Sequence, residues 1–274
     1  TATPIPRTLA FTIHGDMEIS TIDELPKNRL PIITKIAKSN QMNQIYDFMK
    51  KEMNAKHQCF VIYPIIEESE KMDWKAANTG YEFLSKNIFP NYSIGYIHGK
   101  MKKEERDKQM ENMANNKIQC LVATTVVEVG IDIPNSTIML IENAERFGLT
   151  QLHQLRGRIG RGPMQSYCIL IQHGETPDSI HRLKIMESTS NGFTISDEDL
   201  KLRGPGEFFG TRQHGYIKSK IANFSEDGHI IRQARKCAFN IVLNDPKLKL
   251  NEHQGIRKQF KENYKHMLEF VNIS

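Results

Sequence analysis

The sequence predicts an α/β fold: a parallel sheet flanked by helices, followed by a small helical hairpin and a helical tail. Three observations carry this. Five short runs are apolar on nearly every residue, as strands covered on both faces are. Polar, helix-prone segments alternate with them, in the rhythm of consecutive βαβ units. After about residue 173 the apolar runs stop, and helix caps and helical spacing take over.

The candidate strands are 59–63 (CFVIY), 94–98 (IGYIH), 118–123 (IQCLVA), 137–141 (TIMLI) and 167–171 (YCILI), with helices expected over 67–87, 102–115 and 150–159. Right-handed crossovers then place ligand loops at the carboxyl ends of the strands. Beyond the sheet, Thr176 is a candidate N-cap with Pro177 at the first helical position, and Ile180, Leu183 and Met186 form one stripe. Ser196 is the next candidate cap, Gly204-Pro205 its stop, and Asn191-Gly192 the break between the two helices. Ile231, Ala234, Ala238 and Ile241 keep helical spacing up to Asp245-Pro246, and a last basic helix is expected from about 252 to 271.

At 274 residues there is room for one sizeable α/β domain and a smaller appendage. A net charge of +5, from 37 basic and 32 acidic residues, leans only modestly towards polyanionic partners, so the placement of the charges matters more than their sum. No apolar run approaches the roughly 18 residues that span a bilayer, and no signal peptide is visible; no membrane partner is expected. Cys59, Cys120, Cys168 and Cys237 are too widely spaced for a metal knuckle, and three lie in strand-like runs, which suits reduced thiols in a cytoplasmic protein. No metal ligands are assigned. The chain opens on TATPIPRTLA without a methionine, as a segment of a larger protein would.

The densest chemical signal is QLRGRIGRG, 154–162: three arginines, three glycines and no acid. On a helix over 150–159, Leu152, Leu155 and Ile159 share one face. Gln154 and Arg158 share the opposite one, and Arg161 joins them if the last turn persists. Gly157 and Gly160 flank that stripe without side chains to block a close approach. Guanidinium forks match phosphate oxygens and stay ionised at any working pH, and a pair aimed at one point suits the charge on a transferring γ-phosphoryl group. The alternative is a solvated basic helix. A dinucleotide fingerprint is excluded, because GRIGRG ends a helix and Pro163 follows.

Two further groups point to phosphates. In ATTVVEVGIDIP, 123–134, an apolar strand runs into Thr124 and Thr125, then Gly130 and Asp132. Hydroxyls and free amides at a strand end suit phosphate contacts, and a lone aspartate after glycine suits a ribose hydroxyl. In HGKMKKEER, His98 and Gly99 end a strand ahead of a basic helix, where amides and Lys100, Lys102 or Lys103 can hold a nucleic-acid backbone. A solvated helix with paired charges is the competing reading there. A phosphate-cradling GxxxxGK[ST] is absent, since Gly99-Lys100 is followed by Met101.

Together these groups resemble superfamily 2 helicase motifs: QLRGRIGR resembles motif VI, TTVVEVGID motif V, and TATPIPRTLA motif III. GDMEISTIDELP, IENAERFGLTQLHQLRGRIGRG and LKLRGPGEFFGTRQHG narrow the resemblance to the RecG family of ATP-dependent DNA helicases. It covers nearly the whole chain and is weakest after about residue 216. The transcription-repair coupling factors are similar, but carry a glutamate-rich loop where this chain has Gly210-Thr211-Arg212-Gln213.

The resemblance implies a RecA-like second helicase domain over 30–173, preceded by motif III and a linker over 1–29. A translocation hairpin and loop would follow over 174–216 and a helical tail over 217–274. It implies Arg158 and Arg161 as arginine fingers with Gln154 beside the nucleotide, Gly130 and Asp132 at the ribose, and Thr124 at the DNA phosphates; Thr125, His98, Gly99 and Lys100 remain nucleic-acid candidates on residue chemistry alone. Thr1, Thr3, Arg182, Arg203 and Gln213 would couple hydrolysis to movement. ATP and Mg²⁺ would be the cofactors, with Mg²⁺ held mainly by a first motor lobe that the chain lacks; IDELP at 22–26 reads as a connector. The implied partners are branched or duplex DNA, that first lobe and a wedge domain. The implied setting is a monomeric motor in the bacterial cytoplasm, associated with the nucleoid. Alone, the chain is expected to hydrolyse essentially no ATP. The rival readings are a coupling-factor translocase and a non-catalytic DNA-binding module.

Overall fold

The computed structural model describes residues 22, 29–64, 70–124, 133–208 and 227–271. Those up to Arg203 form one compact unit and those from Gly204 onward a second.

In the first unit, six strands form one sheet: β1 (Ile33–Lys38), β2 (Gln58–Tyr63), β3 (Ile94–Ile97), β4 (Cys120–Thr124), β5 (Ser136–Ile141) and β6 (Tyr167–Gln172). Their order is β1-β6-β5-β2-β4-β3, and every pairing is parallel. Between them run α1 (Met42–Asn54), α2 (Glu70–Phe83), α3 (Lys103–Ala114) and α4 (Leu149–Arg156). After β6 come α5 (Pro177–Ser188) and α6 (Gly192–Phe208).

The apolar runs are explained by burial on both sides. Phe60 and Ile62 of β2 enter one core with Leu121, Met139 and Leu170, while Cys59 and Val61 enter the opposite core with Val122 and Leu140. Each such side chain removed from water stabilises the fold by roughly 1.5–3 kcal/mol. The five expected strands are all present within a residue or two of their expected ends. The expectations miss β1. Its sequence ITKIAK alternates buried and exposed positions because it is an edge strand paired only with β6.

Thr176 caps α5 as expected: its Oγ1 accepts from Ser179 N at 3.2 Å, and Pro177 opens the helix. Leu183 and Met186 are buried, while Ile180 is only half-buried. The next helix departs from expectation at both ends. Asn191 caps it, its Oδ1 accepting from Phe193 N at 2.9 Å, so Ser196 lies inside the helix and is buried. The helix also runs through Gly204-Pro205 to Phe208. A proline removes one backbone donor and crowds the preceding turn, yet here it does not end the helix.

In the second unit, α7 (Gly228–Asn244) and α8 (Gln254–Val271) match the expected tail helices. Ile231 and Ile241 are half-buried, while Ala234 and Ala238 are exposed. Asp245 closes the connection. Its carboxylate accepts from Lys249 N and Leu250 N, each at 2.9 Å, and contacts His253 Nδ1 at 3.0 Å. The Lys249 amide leads in holding its pKa below the usual carboxylate range. No described helix is long and apolar enough to cross a membrane.

Candidate nucleotide and nucleic-acid sites

A helix between two parallel strands returns the chain from the carboxyl edge of the sheet to its amino edge. α4 does this between β5 and β6, so the arginine loop that follows it lies at the amino edge. For this loop the expectation of a place at the carboxyl edge does not hold, whereas His98 and Thr124, at the ends of β3 and β4, keep to it. Contacts with segments that precede strands hold the loop at the amino edge. Arg29 Nε donates to Gly160 O at 2.9 Å, Gln165 Nε2 to Pro31 O at 2.8 Å, and Ile33 N to Ser166 O at 3.0 Å.

Glycine is required at two loop positions. Gly160 has φ +70, and a Cβ there would lie 2.8 Å from Ile32 Cγ1; at Gly162 it would lie 2.5 Å from the Pro134 carbonyl oxygen. The close approach is therefore to the chain itself. At Gly157 a Cβ would meet only backbone oxygens of its own helix, at 3.4 and 3.5 Å.

α4 stops at Arg156, with Gly157 as its C-cap. Arg158 N still donates to Leu155 O at 2.9 Å, but the left-handed turn at Gly160 then carries Arg161 off the helix. The expected continuous stripe to Arg161 is thus replaced by a folded-back loop, in which Arg161 Nε donates to Gly157 O at 3.4 Å. Gln154, Arg158 and Arg161 are each half-buried. Leu152, Leu155 and Ile159 are buried against the sheet, as their spacing predicts.

The other described group sits at the opposite edge. Ile97 pairs with Ala123, so His98 and Thr124 are neighbours at the carboxyl ends of β3 and β4. Thr124 is 3% exposed, and its hydroxyl has no hydrogen-bond partner among the described residues. His98 Nδ1 accepts from Lys100 N at 3.2 Å, and burial lowers the His98 pKa. Gly99 and Lys100 are exposed. These residues and the arginine loop therefore lie at opposite ends of the strands, on the order of 15 Å apart along the strand direction. The structure assembles two groups, one at each edge, and does not merge them.

The two hairpin arginines hold the approach to α4. Arg182 Nη2 donates to Glu145 O at 2.8 Å, and the Glu145 carboxylate accepts from Gly174 N at 3.0 Å and His173 N at 3.3 Å. Arg203 Nε donates to Asp199 Oδ1 at 3.1 Å, while Asp199 Oδ2 accepts from Thr150 Oγ1 at 3.1 Å. Sequence reasoning passes over Glu145, Thr150, Asp199 and Arg156. For Arg156 a signal exists: it lies four residues after Leu152 and three before Ile159, on the apolar stripe. Thr1, Thr3, Thr125, Gly130, Asp132 and Gln213 lie outside the described residues. Among the described residues no cluster of three or more His, Cys, Asp or Glu side chains is placed to hold a metal.

Two family models match the chain: the helicase conserved C-terminal domain over residues 38–163, and the C-terminal part of domain 3 of ATP-dependent DNA helicase RecG over 189–274. ATP-dependent DNA helicase RecG of Synechocystis sp. is 46% identical over 98% of the chain, and that of Bacillus subtilis 44% identical over 94%. The chain spans about a third of these relatives, 32% and 38% of their lengths. The solved structure of RecG bound to a three-way DNA junction is 40% identical, with a TM-score of 0.67, covering 84% of this chain and 29% of that one. The sheet is therefore the RecA-like fold of a helicase C-terminal domain, and the chain belongs to the RecG family.

Proposed function

We propose that this chain is the second motor lobe of an ATP-driven DNA helicase that acts on branched DNA, reversing forks and migrating junctions in repair and recombination. The observation that carries the reading is the arginine loop: Arg158 and Arg161, both half-buried, stand on a loop locked to the amino edge by Gly160 against Ile32 and Gly162 against Pro134. The names of the relatives and the junction-bound solved relative support it.

ATP, gripped by a first lobe elsewhere in the full-length protein, supplies the γ-phosphoryl group. Arg158 and Arg161 present guanidinium donors to its developing charge, Gln154 lies beside them, and Gly130 and Asp132 meet the ribose. Such donors act where charge grows in the transition state. Mg²⁺ belongs with the first lobe, consistent with the absence of acidic residues from the stretch QLRGRIGRG itself. Thr124, Thr125, His98, Gly99 and Lys100 hold DNA phosphates at the other edge, so the sheet carries movement between the two sites as a rigid body.

Residues 1–29 are a motif III segment and linker from the first lobe, in which Thr1 and Thr3 couple hydrolysis to movement; 30–173 form the second lobe, 174–216 the translocation hairpin and loop, and 217–274 the tail. Arg182, Arg203 and Gln213 pass lobe closure to the DNA. The setting is the bacterial cytoplasm, with nucleoid association and a monomeric motor.

The test compares this chain with the full-length protein. DNA-stimulated ATP turnover by the full-length protein, and none by the chain alone, is the expected result. DNA binding without turnover in both would make the lobe a DNA clamp and overturn the motor reading.

A further inference from the structure

Arg156, the first arginine of the run, has no role in the function proposed above. It is 3% exposed, and burial lowers its pKa. Its Nη1 donates to Met186 O at 2.8 Å, Thr189 O at 2.9 Å and Thr34 Oγ1 at 3.3 Å, and Nη2 lies 3.5 Å from His153 Nδ1. Among the described residues no carboxylate pairs with it; its acceptors are neutral. A buried cation held this way is a costly choice for a site where an apolar side chain would pack.

The acceptors explain what it gains. Met186 lies in the last turn of α5 and Thr189 is that helix's C-cap, where carbonyls lack helical donors and the dipole favours a cation. Arg156 therefore caps α5 from outside. It is also the last residue of α4, bonded directly to Gly157 at the start of the arginine loop. At the other end of α4, Thr150 is held by Asp199 of α6. The helix that delivers the loop is gripped by the hairpin at both ends, and the grip next to the loop is one guanidinium.

We propose that Arg156 is a positioning residue that ties the arginine loop to the elbow between α5 and α6, so that displacement of the loop at the nucleotide moves the hairpin. The inference rests on the function proposed for Arg158 and Arg161. It separates Arg156 from its two neighbours: they act on the reaction, and it passes the result on.

The test uses the full-length protein with Arg156→Gln, which removes the charge, and Arg156→Lys, which keeps the charge but lacks the fork. ATP turnover and junction unwinding are measured on the same samples, giving base pairs opened per ATP. For Arg156→Gln, turnover and KM for ATP stay within about threefold of the parent while base pairs opened per ATP fall about tenfold, and Arg156→Lys falls between. Parallel loss of turnover and unwinding, or an unchanged ratio, overturns the proposal. If Arg156→Gln melts below the assay temperature, Arg156→Lys is read by the same ratio. Loss of a cooperative melt in both variants makes Arg156 a fold determinant, which also overturns it. Arg161→Ala separates the two levels: full turnover in that variant sinks the motor reading itself. Lost turnover there, with an unchanged ratio in the Arg156 variants, sinks only this inference.

Discussion

Gly160→Ala probes the geometry on which the arginine loop depends. The new Cβ would sit at φ +70, 2.8 Å from Ile32 Cγ1 and 3.1 Å from Cδ1. Holding an L-residue in the left-handed region costs roughly 1–2 kcal/mol. Pushing the Ile32 side chain off its rotamer adds about 0.5–1.5 kcal/mol, since it is flexible and half-buried. The sum is roughly 1.5–3.5 kcal/mol. For a unit of this size each kcal/mol lowers the melting temperature by about 2–4 °C, so a loss of roughly 3–14 °C is expected. Gly157→Ala is the matched control: φ is −66 and the nearest contacts are ordinary, so it should be neutral or stabilising by up to about 1 kcal/mol. Thermal melts followed by far-ultraviolet circular dichroism read both. A Gly160→Ala protein that melts with the parent, or a Gly157→Ala protein that loses as much, would refute the loop as described.

Lys100→Ala should weaken DNA binding uniformly across sequences and flatten the slope of log affinity against log salt by about 0.9, read by fluorescence anisotropy at several salt concentrations; an unchanged slope removes Lys100 from the DNA contact. Of the 4 cysteines only Cys237 is exposed, and burial pushes Cys120 and Cys168 up to about 12. A thiol reagent near neutral pH should therefore label Cys237 alone until the chain is denatured, with mass spectrometry as the readout. Those raised thiols also set a pH limit. Above the usual thiol value of 9.0 the unfolded chain releases protons that the folded one keeps, so stability falls as pH rises. On the acid side, burial and then Arg156 lower the His153 pKa from 6.5; below that value the unfolded chain takes up a proton that the folded chain resists, so stability falls as pH drops. Urea unfolding across pH should show a plateau between these limits, and His153→Phe should reduce the acid-side slope.

The sheet is legible in the sequence where strands are covered on both faces. CFVIY and TIMLI are apolar on nearly every residue because successive residues enter different cores. ITKIAK is not legible by that criterion, since an edge strand displays its lysines to water and reads as mixed polarity. The end of α4 is harder to see. Leu152, Leu155 and Ile159 keep helical spacing past the last true helical residue, and a left-handed glycine that turns the chain out leaves no mark in periodicity. The amino-edge location was available from connectivity alone, because a helix followed by a parallel strand has to end there. Gly204-Pro205 shows the reverse error: a strong stop signal that α6 passes through. Chemistry read from residue type found the arginines. Asp199, which orients Arg203, lies one helical turn away and was within reach of i,i+4 spacing, whereas the α5 carbonyls that hold Arg156 lie far away in sequence and become visible only in the fold.

In the proposed motor, the loop after α4 reaches a nucleotide held by another lobe. DNA-stimulated ATP turnover of Arg161→Ala in the full-length protein tests it most directly, alongside a melt to show intact folding. A fall of about 10³-fold or more at saturating ATP is the predicted result. Turnover within about twofold of the parent, where a lost arginine finger should remove orders of magnitude, would contradict it.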